Sequence, residues 1–378
     1  MFTKEKQNGK ERFLNVMGYK AYDKVPDYEA GVWGQTIEAW KGQGLDISKV
    51  NWDWFSGDEF FGMDKREFFP VNMNILPLFE YKLLERTDRY EIFVDEIGRT
   101  RKALIEGAIN GSRMCMDTYL KFPVESIDDF REIKKRYIAT IDSRYPKNWE
   151  NDIERFKNRE IPLIFGQNCS TLGFYWIARD LMGTEGVSFA FFDETELIEE
   201  MMEFIADFAI EMAKPFLSVI DTEYIMINED LSMKTGPLLS PDMYKRFIFP
   251  HMRRIVDFYK SNGVKYVFVD TDGNCEDMLP LFMEAGVDGI WPLERTANMD
   301  PIRIRQEYGK DLRLFGAVDK MELARGKKAI DAHLATFVPL IEQGGFIPTV
   351  DHTVPPDVCL EDFFYYMKRK EDLLWGRF

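Results

Sequence analysis

The sequence predicts an α/β protein built as a (β/α)8 TIM barrel. Three observations carry that expectation. Short β-branched or aromatic runs recur along the chain, each ends in polar residues, and helical periodicity follows. Two such runs in the first half and six in the second make eight, the strand number of that barrel. No segment rich in Pro, Gly or Ser divides the chain, so residues 1–378 are expected to form one domain.

In order, residues 1–23 read as an N-terminal helical extension. KVPDYEAGVW (24–33) and FFPVNMNI (68–75) supply two strands, and YEIFVDEIGRTRKALIEG (90–107) reads as an inserted β-hairpin turning near Glu96-Ile97-Gly98. The later strands are IPLIFGQN (161–168), YIMINED (224–230), YVFVDTDG (266–273), DGIWPLE (288–294), LRLFGAVD (312–319) and GFIPTVDH (345–352). Between them, Leu197, Met201, Ile205, Phe208 and Met212 recur at helical spacing, with an N-cap expected at Asp193 and Glu196 three residues on. Another helix opens at Ser240-Pro241, with proline in the first helical position.

Composition excludes several classes of function. An apolar fraction of 45% with 30% charged residues describes a globular chain rather than a disordered or collagenous one. With 49 Lys and Arg against 65 Asp and Glu, and no basic stripe, a nucleic-acid partner is not expected. The N-terminal stretch has Lys4, Lys6, Lys10 and Arg12 but no apolar core, and nowhere do 18 apolar residues run together. Cys115, Cys169, Cys275 and Cys359 lie far apart without CxxC spacing. These features predict a cytoplasmic protein with no membrane span and no disulfide framework, and they make Asn110-Gly-Ser112 and Asn168-Cys-Ser170 chance matches to a glycosylation tripeptide.

A barrel of this kind builds its active site from the C-terminal ends of its strands. Those ends carry Gln167 and Asn168, Glu229 and Asp230, Asp270 and Asp272, Glu294, Asp319, then Asp351 and His352. Helix capping accounts for about one such residue per junction, and Asp272 or Asn274 could cap a helix starting near Cys275. Several junctions carry two acids, which capping does not need. Asp270 and Asp272 are two apart, so both leave on one side, toward His352 from a later strand. Two carboxylates and an imidazole make a divalent-metal site, with Glu294 as a further ligand or supporting group. His251 and His333 read as packing residues on helices. Aromatic residues crowd positions 28–82, among them Tyr28, Trp33, Trp40, Trp52, Trp54, Phe55, Phe60, Phe61, Phe68 and Phe69. They read as core or dimer contacts, a few of them able to line an apolar pocket.

RFLNVMGYKAYDKVPDYEAGVW, INEDLSMKTGPLLSPDMYKRFIFPHMRRIVDFYKSNG, VDTDGNCEDMLPLFMEAGVDGIWPLE, YGKDLRLFGAVDK and GGFIPTVDHTVPPDV resemble the uroporphyrinogen decarboxylase superfamily over most of the chain. That resemblance implies the TIM barrel and two chemistries, uroporphyrinogen decarboxylation and cobalamin-dependent methyl transfer. The decarboxylases have an Arg-Gln-Ala-Gly-Arg segment that clamps substrate carboxylates; the matching stretch here, Ala30-Gly31-Val32-Trp33-Gly34-Gln35-Thr36, has neither arginine. A porphyrinogen with its many carboxylates would meet an acidic rim.

The methyltransferase branch is the closer resemblance. Its members that use coenzyme M bind zinc through His-x-Cys and a later Cys, and the equivalent places here are Asp270-x-Asp272 and His352. Harder ligands suit an oxygen leaving group. What this implies is the methyltransferase component of an O-demethylase system, moving methyl from an aryl methyl ether to cobalt(I) on a separate corrinoid protein. Glu229 and Asp230 would be catalytic. Tyr28, Trp33, Gln167, Asn168 and Asn228 would bind substrate. Asp270, Asp272, Glu294 and His352 would hold zinc. Asp331-Ala-His333 resembles part of a corrinoid-binding DxHxxG segment, but Thr336 replaces the glycine, so the corrinoid belongs to the partner. A lyase acting on a carboxylated substrate, a catalytically idle binding barrel and a homodimer remain open alternatives.

Overall fold

The computed structural model describes residues 1–50, 59–105, 108–109, 112–113, 117–138, 140–166 and 171–378. Its centre is a curled parallel sheet in which seven strands follow one path: β1 (Glu67–Phe69), β6 (Leu163–Phe165), β7 (Thr222–Asn228), β8 (Val264–Asp270), β9 (Gly289–Trp291), β10 (Arg313–Val318) and β11 (Phe346–Val350). Each successive pair is parallel, with Tyr224 opposite Tyr266 and Phe268 opposite Gly289. Strands buried on both faces read as continuous apolar runs, and Tyr224-Ile-Met-Ile227 is buried throughout. All six expected strands of the second half are present; of the run at 68–75 only Phe68 and Phe69 lie in a strand.

Residues 24–33 depart from expectation. They form no strand, and their backbone pairing to β11's side of the sheet is an isolated bridge between Val32 and Val354. Pro26 has no N–H to give a ladder, and Gly31 turns the chain at φ +95°. Side chains fasten this segment instead: Glu29 accepts from Val350 N at 2.8 Å, and Arg66 donates to Glu29 O at 3.2 Å.

After β1 the chain makes an antiparallel meander, β2 (Lys82–Arg86), β3 (Tyr90–Val94), β4 (Thr100–Leu104) and β5 (Thr118–Lys121), in that order. The expected hairpin is β3 and β4, turning at Gly98 with φ +96°. Residues 106 and 107, the end of the expected insertion, lie outside the described residues.

Helices cover the sheet. At the N-terminal strand ends lies α1 (Gly9–Met17), capped by Asn8 and Glu11; α2 (Gly34–Gly42) follows the 24–33 segment. After β6 come α3 (Phe174–Asp193) and α4 (Thr195–Leu217). The predicted N-cap at Asp193 is corrected: Asp193 ends α3, Glu194 alone separates the helices, and no side chain caps α4. Ser240 does cap α5 (Pro241–Phe247), accepting from Met243 N, but that helix stops before Pro250, and α6 (Phe249–Ser261) starts afresh. The helices α7 (Lys327–Ala335) and α8 (Leu360–Leu374) flank β10 and β11. Among the described residues no helix is long and apolar enough to cross a membrane.

Candidate active site at the C-terminal strand ends

Two neighbouring residues at the end of β7 go opposite ways. Gly173 packs so tightly on β7 that a Cβ there would sit 1.7 Å from Asn228 O. This brings the start of α3 onto Glu229, whose carboxylate accepts from Phe174 N at 3.2 Å and Tyr175 N at 2.9 Å. Glu229 has no exposure, and burial pushes it up to about 7 against those two N–H groups. The open catalytic position expected of Glu229 is not what the fold gives it: both oxygens cap a helix from a fully buried place. Asp230 instead takes a left-handed backbone (φ +38°), a conformation costly for a non-glycine residue, and faces the rim. Its carboxylate pairs with Arg179 from α3, whose guanidinium lies 5.0 Å from the Trp176 ring.

At the end of β8, Asp272 faces His352 from β11, with Oδ2 to Nε2 at 3.4 Å. The Asp272 side chain is 37% exposed, that of His352 28% and that of Asp230 24%. Burial alone would lower His352, but Asp272 outweighs it and holds the imidazole above its usual value. Burial raises Asp230, Arg179 opposes that, and Asp272 adds to it. Partly exposed Asp270 stands behind them; burial, then the charges of Asp272 and Asp230, push it well above the usual carboxylate range. Asp270 and Asp272, expected on one side, thus act by charge on each other and on Asp230, and Asp272 on His352.

Glu294 borders that group, its charge helping to raise His352, but its oxygens are engaged elsewhere. One of its oxygens is 3.1 Å from Lys320 Nζ and the other accepts from Gly273 N at 3.0 Å. Lys320 is also 3.2 Å from buried Asp351, which accepts from Arg295 N at 2.9 Å. One lysine thereby ties together the chain segments following β8, β9, β10 and β11. Two opposite charges outweigh its burial and hold Lys320 above its usual value.

The divalent-metal expectation meets this geometry only in part. Asp272 and His352 are the donors that an ion could take, with Asp270 beside them. Yet among the described residues no three His, Cys, Asp or Glu side chains are grouped to hold one, and Glu294 serves Lys320.

Of the residues expected to contact substrate, Trp33 lies at the rim: it is 37% exposed and its ring centre lies 6.0 Å from that of His352. Tyr28 does not reach the rim. It is wholly buried, with Arg66 stacked 4.5 Å from its ring and Phe315 against its edge, because Gly31 reverses the chain between the two aromatics. Asn228 is partly exposed at the end of β7, opposite Asp270. Gln167, Asn168, Trp52, Trp54, Phe55, Cys115 and Cys169 lie outside the described residues. Asp319 caps the turn Lys320–Leu323, accepting from Met321 N, and Asn274 accepts from Glu276 N, as the capping alternative expects. His333 accepts from Asp319 N at 2.9 Å, and His251 lies against Phe174, so both serve packing.

Sequence reasoning missed Arg179 and Lys320. Lys320 had a signal, one residue beyond the strand-end Asp319. Arg179 lies inside a helix, five residues from its start, and nothing local marks it.

The model of the uroporphyrinogen decarboxylase (URO-D) family matches residues 159–371, more than half the chain and six of the seven strands along the sheet's path. The chain belongs to the uroporphyrinogen decarboxylase family. The sequence has no match among curated proteins. Among solved structures, a methyltransferase from Methanosarcina mazei is similar in fold, with a TM-score of 0.61 at 15% identity, over 97% of this chain and 99% of that one. At that identity the likeness speaks for the fold alone.

Proposed function

We propose that this family member is a methyltransferase that takes a methyl group from a methoxylated aromatic substrate and delivers it to the cobalt(I) of a separate corrinoid protein. The observation that carries this reading is the open Asp272–His352 pair, set beside Asp230 and Trp33 on a rim whose nearby cations are already engaged. Arg179 pairs with Asp230, and Lys320 with Glu294 and Asp351, so neither is free to clamp a polycarboxylate. Residues 31–36 supply no arginine either. The similarity in fold to a methyltransferase is compatible with this reading.

In this mechanism Trp33 offers an apolar face for the aromatic ring. The ether C–O bond breaks, methyl passes to cobalt, and the departing phenolate oxygen receives an N–H hydrogen bond from His352, oriented by Asp272. Arg179 fixes Asp230 at the edge of the same opening. The reaction needs no net redox change in this chain, only stabilisation of an oxyanion that water would otherwise solvate. No step is assigned to zinc. An ion on Asp272 and His352 would stabilise the same oxygen, and zinc content measured before and after loading tests whether those two residues take one.

The test supplies reduced corrinoid protein and a panel of aryl methyl ethers, with and without zinc, and follows the cobalt spectrum. Methylated corrinoid is expected from at least one ether. Absence of transfer from every ether, together with carbon dioxide release from a carboxylated substrate, would replace this reading by the lyase.

A further inference from the structure

The end of the sheet opposite the acidic rim has an opening of inverted chemistry. It lies at the N-terminal strand ends: Lys24 precedes the 25–33 segment, Asp64 stands before β1, and Trp375 follows α8. This open cleft of about 600 Å3 has five cations in its walls, Lys4, Lys6, Arg12, Lys24 and Arg377, against two carboxylates, Asp23 and Asp64.

Those carboxylates are already matched. Arg12 donates to the two oxygens of Asp23 at 2.9 and 2.8 Å and lies 3.5 Å from Asp64, which Lys24 approaches to 3.0 Å. Lys4, Lys6 and Arg377 make no ion pair among the described residues. Three cations therefore face one cleft without counter-charge, in a chain whose net charge is −16. Gathering like charges in a concave site costs free energy and concentrates anions there.

Both walls are held in place. Thr3 N donates to Tyr22 O at 2.9 Å, and the Phe2 ring meets the Tyr22 edge at 5.3 Å. Across the cleft, Arg377 and Lys24 lie 4.8 and 5.8 Å from the Trp375 ring. Lysines supply compact point charges and arginine a planar fork, a combination suited to phosphate or carboxylate oxygens. The volume falls in the range of small-ligand sites.

We propose that this cleft binds a small polyanion, a phosphate-bearing or polycarboxylate molecule with three or more negative charges, at a site separate from the acidic rim. Its oxygens would engage Lys4, Lys6 and Arg377 and join the N-terminal segment to the segment after α8.

Titration calorimetry on the full chain tests this with inorganic triphosphate and, separately, citrate, at constant ionic strength. One saturable site is expected for at least one probe, and the tighter of the two identifies phosphate or carboxylate as the preferred group. The triple variant Lys4→Glu, Lys6→Glu, Arg377→Glu should bind at least about tenfold more weakly, with unchanged circular dichroism. Saturating ligand should raise the wild-type Tm by about 3–5 °C and the variant's by clearly less. Heats that never saturate with either probe would overturn the proposal. So would equal binding by the triple variant, or binding lost in Arg179→Ala, which would place the anion at the rim.

Discussion

Two clusters of charge lie within this sheet, and they are built on opposite principles. In the sealed cluster, Lys370 has 0% exposure and gives its ammonium to Asp27 at 2.8 Å, Glu29 at 2.6 Å and Tyr28 O at 2.7 Å. Glu29 further accepts from Tyr366 and from Val350 N. Burial raises Asp27 above its usual value, with Lys370 opposing. Along the open rim, Asp230, Asp270 and Asp272 act on one another, with Arg179 and His352 to offset them among the described residues, and water reaches the Asp272–His352 pair. A buried charge persists only when its partners are fixed. The sealed cluster therefore works as a joint, fastening residues 24–33 where the backbone ladder fails. The rim keeps unbalanced carboxylates at an opening, the arrangement expected of a site that handles charge in a substrate.

Breaking the joint should have the largest effect. Lys370→Ala leaves Asp27 and Glu29 without their cation and should cost roughly 3–5 kcal/mol, read as a lower urea midpoint. If stability were unchanged, the joint would be no joint.

The boundary between the two clusters can be sharpened at Glu229, a rim residue by sequence but a sealed one by packing. Its folded pKa of about 7 lies above the ordinary 4.5, so the folded state holds the extra proton. The stabilisation is complete below pH 4.5, is lost as pH rises through 7, and amounts to on the order of 3 kcal/mol. Glu229→Gln should lack this loss, so the difference in urea midpoints between variant and wild type should widen from pH 5 to pH 8 in the variant's favour. Parallel curves would show that Glu229 stays ionised.

At the rim the expected change is in rate. His352→Ala and Asp272→Ala should each slow methyl transfer by about 100-fold while shifting stability by under about 1 kcal/mol. Wild-type rates in both would remove the pair from the mechanism. Smallest is Asp319→Ala, which takes away only a cap: about 1 kcal/mol of stability should go, with transfer in the folded protein unaffected. A rate loss there like that of His352→Ala would mean that Asp319 acts on substrate.

Much of the fold is legible in sequence because buried parallel strands must be apolar along their length and must end where water begins. Runs such as Tyr266-Val-Phe-Val269 announce both facts locally. The same logic marked Asp230, Asp272 and His352 as rim residues, and family membership makes the strand order unsurprising. The first half resists such reading. At 24–33 an alternation of apolar and acidic residues imitates a strand, yet Asp27 and Glu29 find Lys370, over 340 residues away, and satisfy with side chains what a ladder would have supplied.

What the sequence by itself determined, then, is the six strands of the second half, their polar ends and the acidic character of the opening, since periodicity and charge act over a few residues. Tertiary structure decided which acids are available. Glu229 and Asp230 are neighbours with nearly the same chemistry, but Gly173 lets α3 close on one, and a left-handed turn aims the other at the rim. Likewise Lys320 claims Glu294 while Asp272 is left to His352. Such assignments depend on distances between segments far apart in the chain, where desolvation and pairing are settled by packing rather than by residue type.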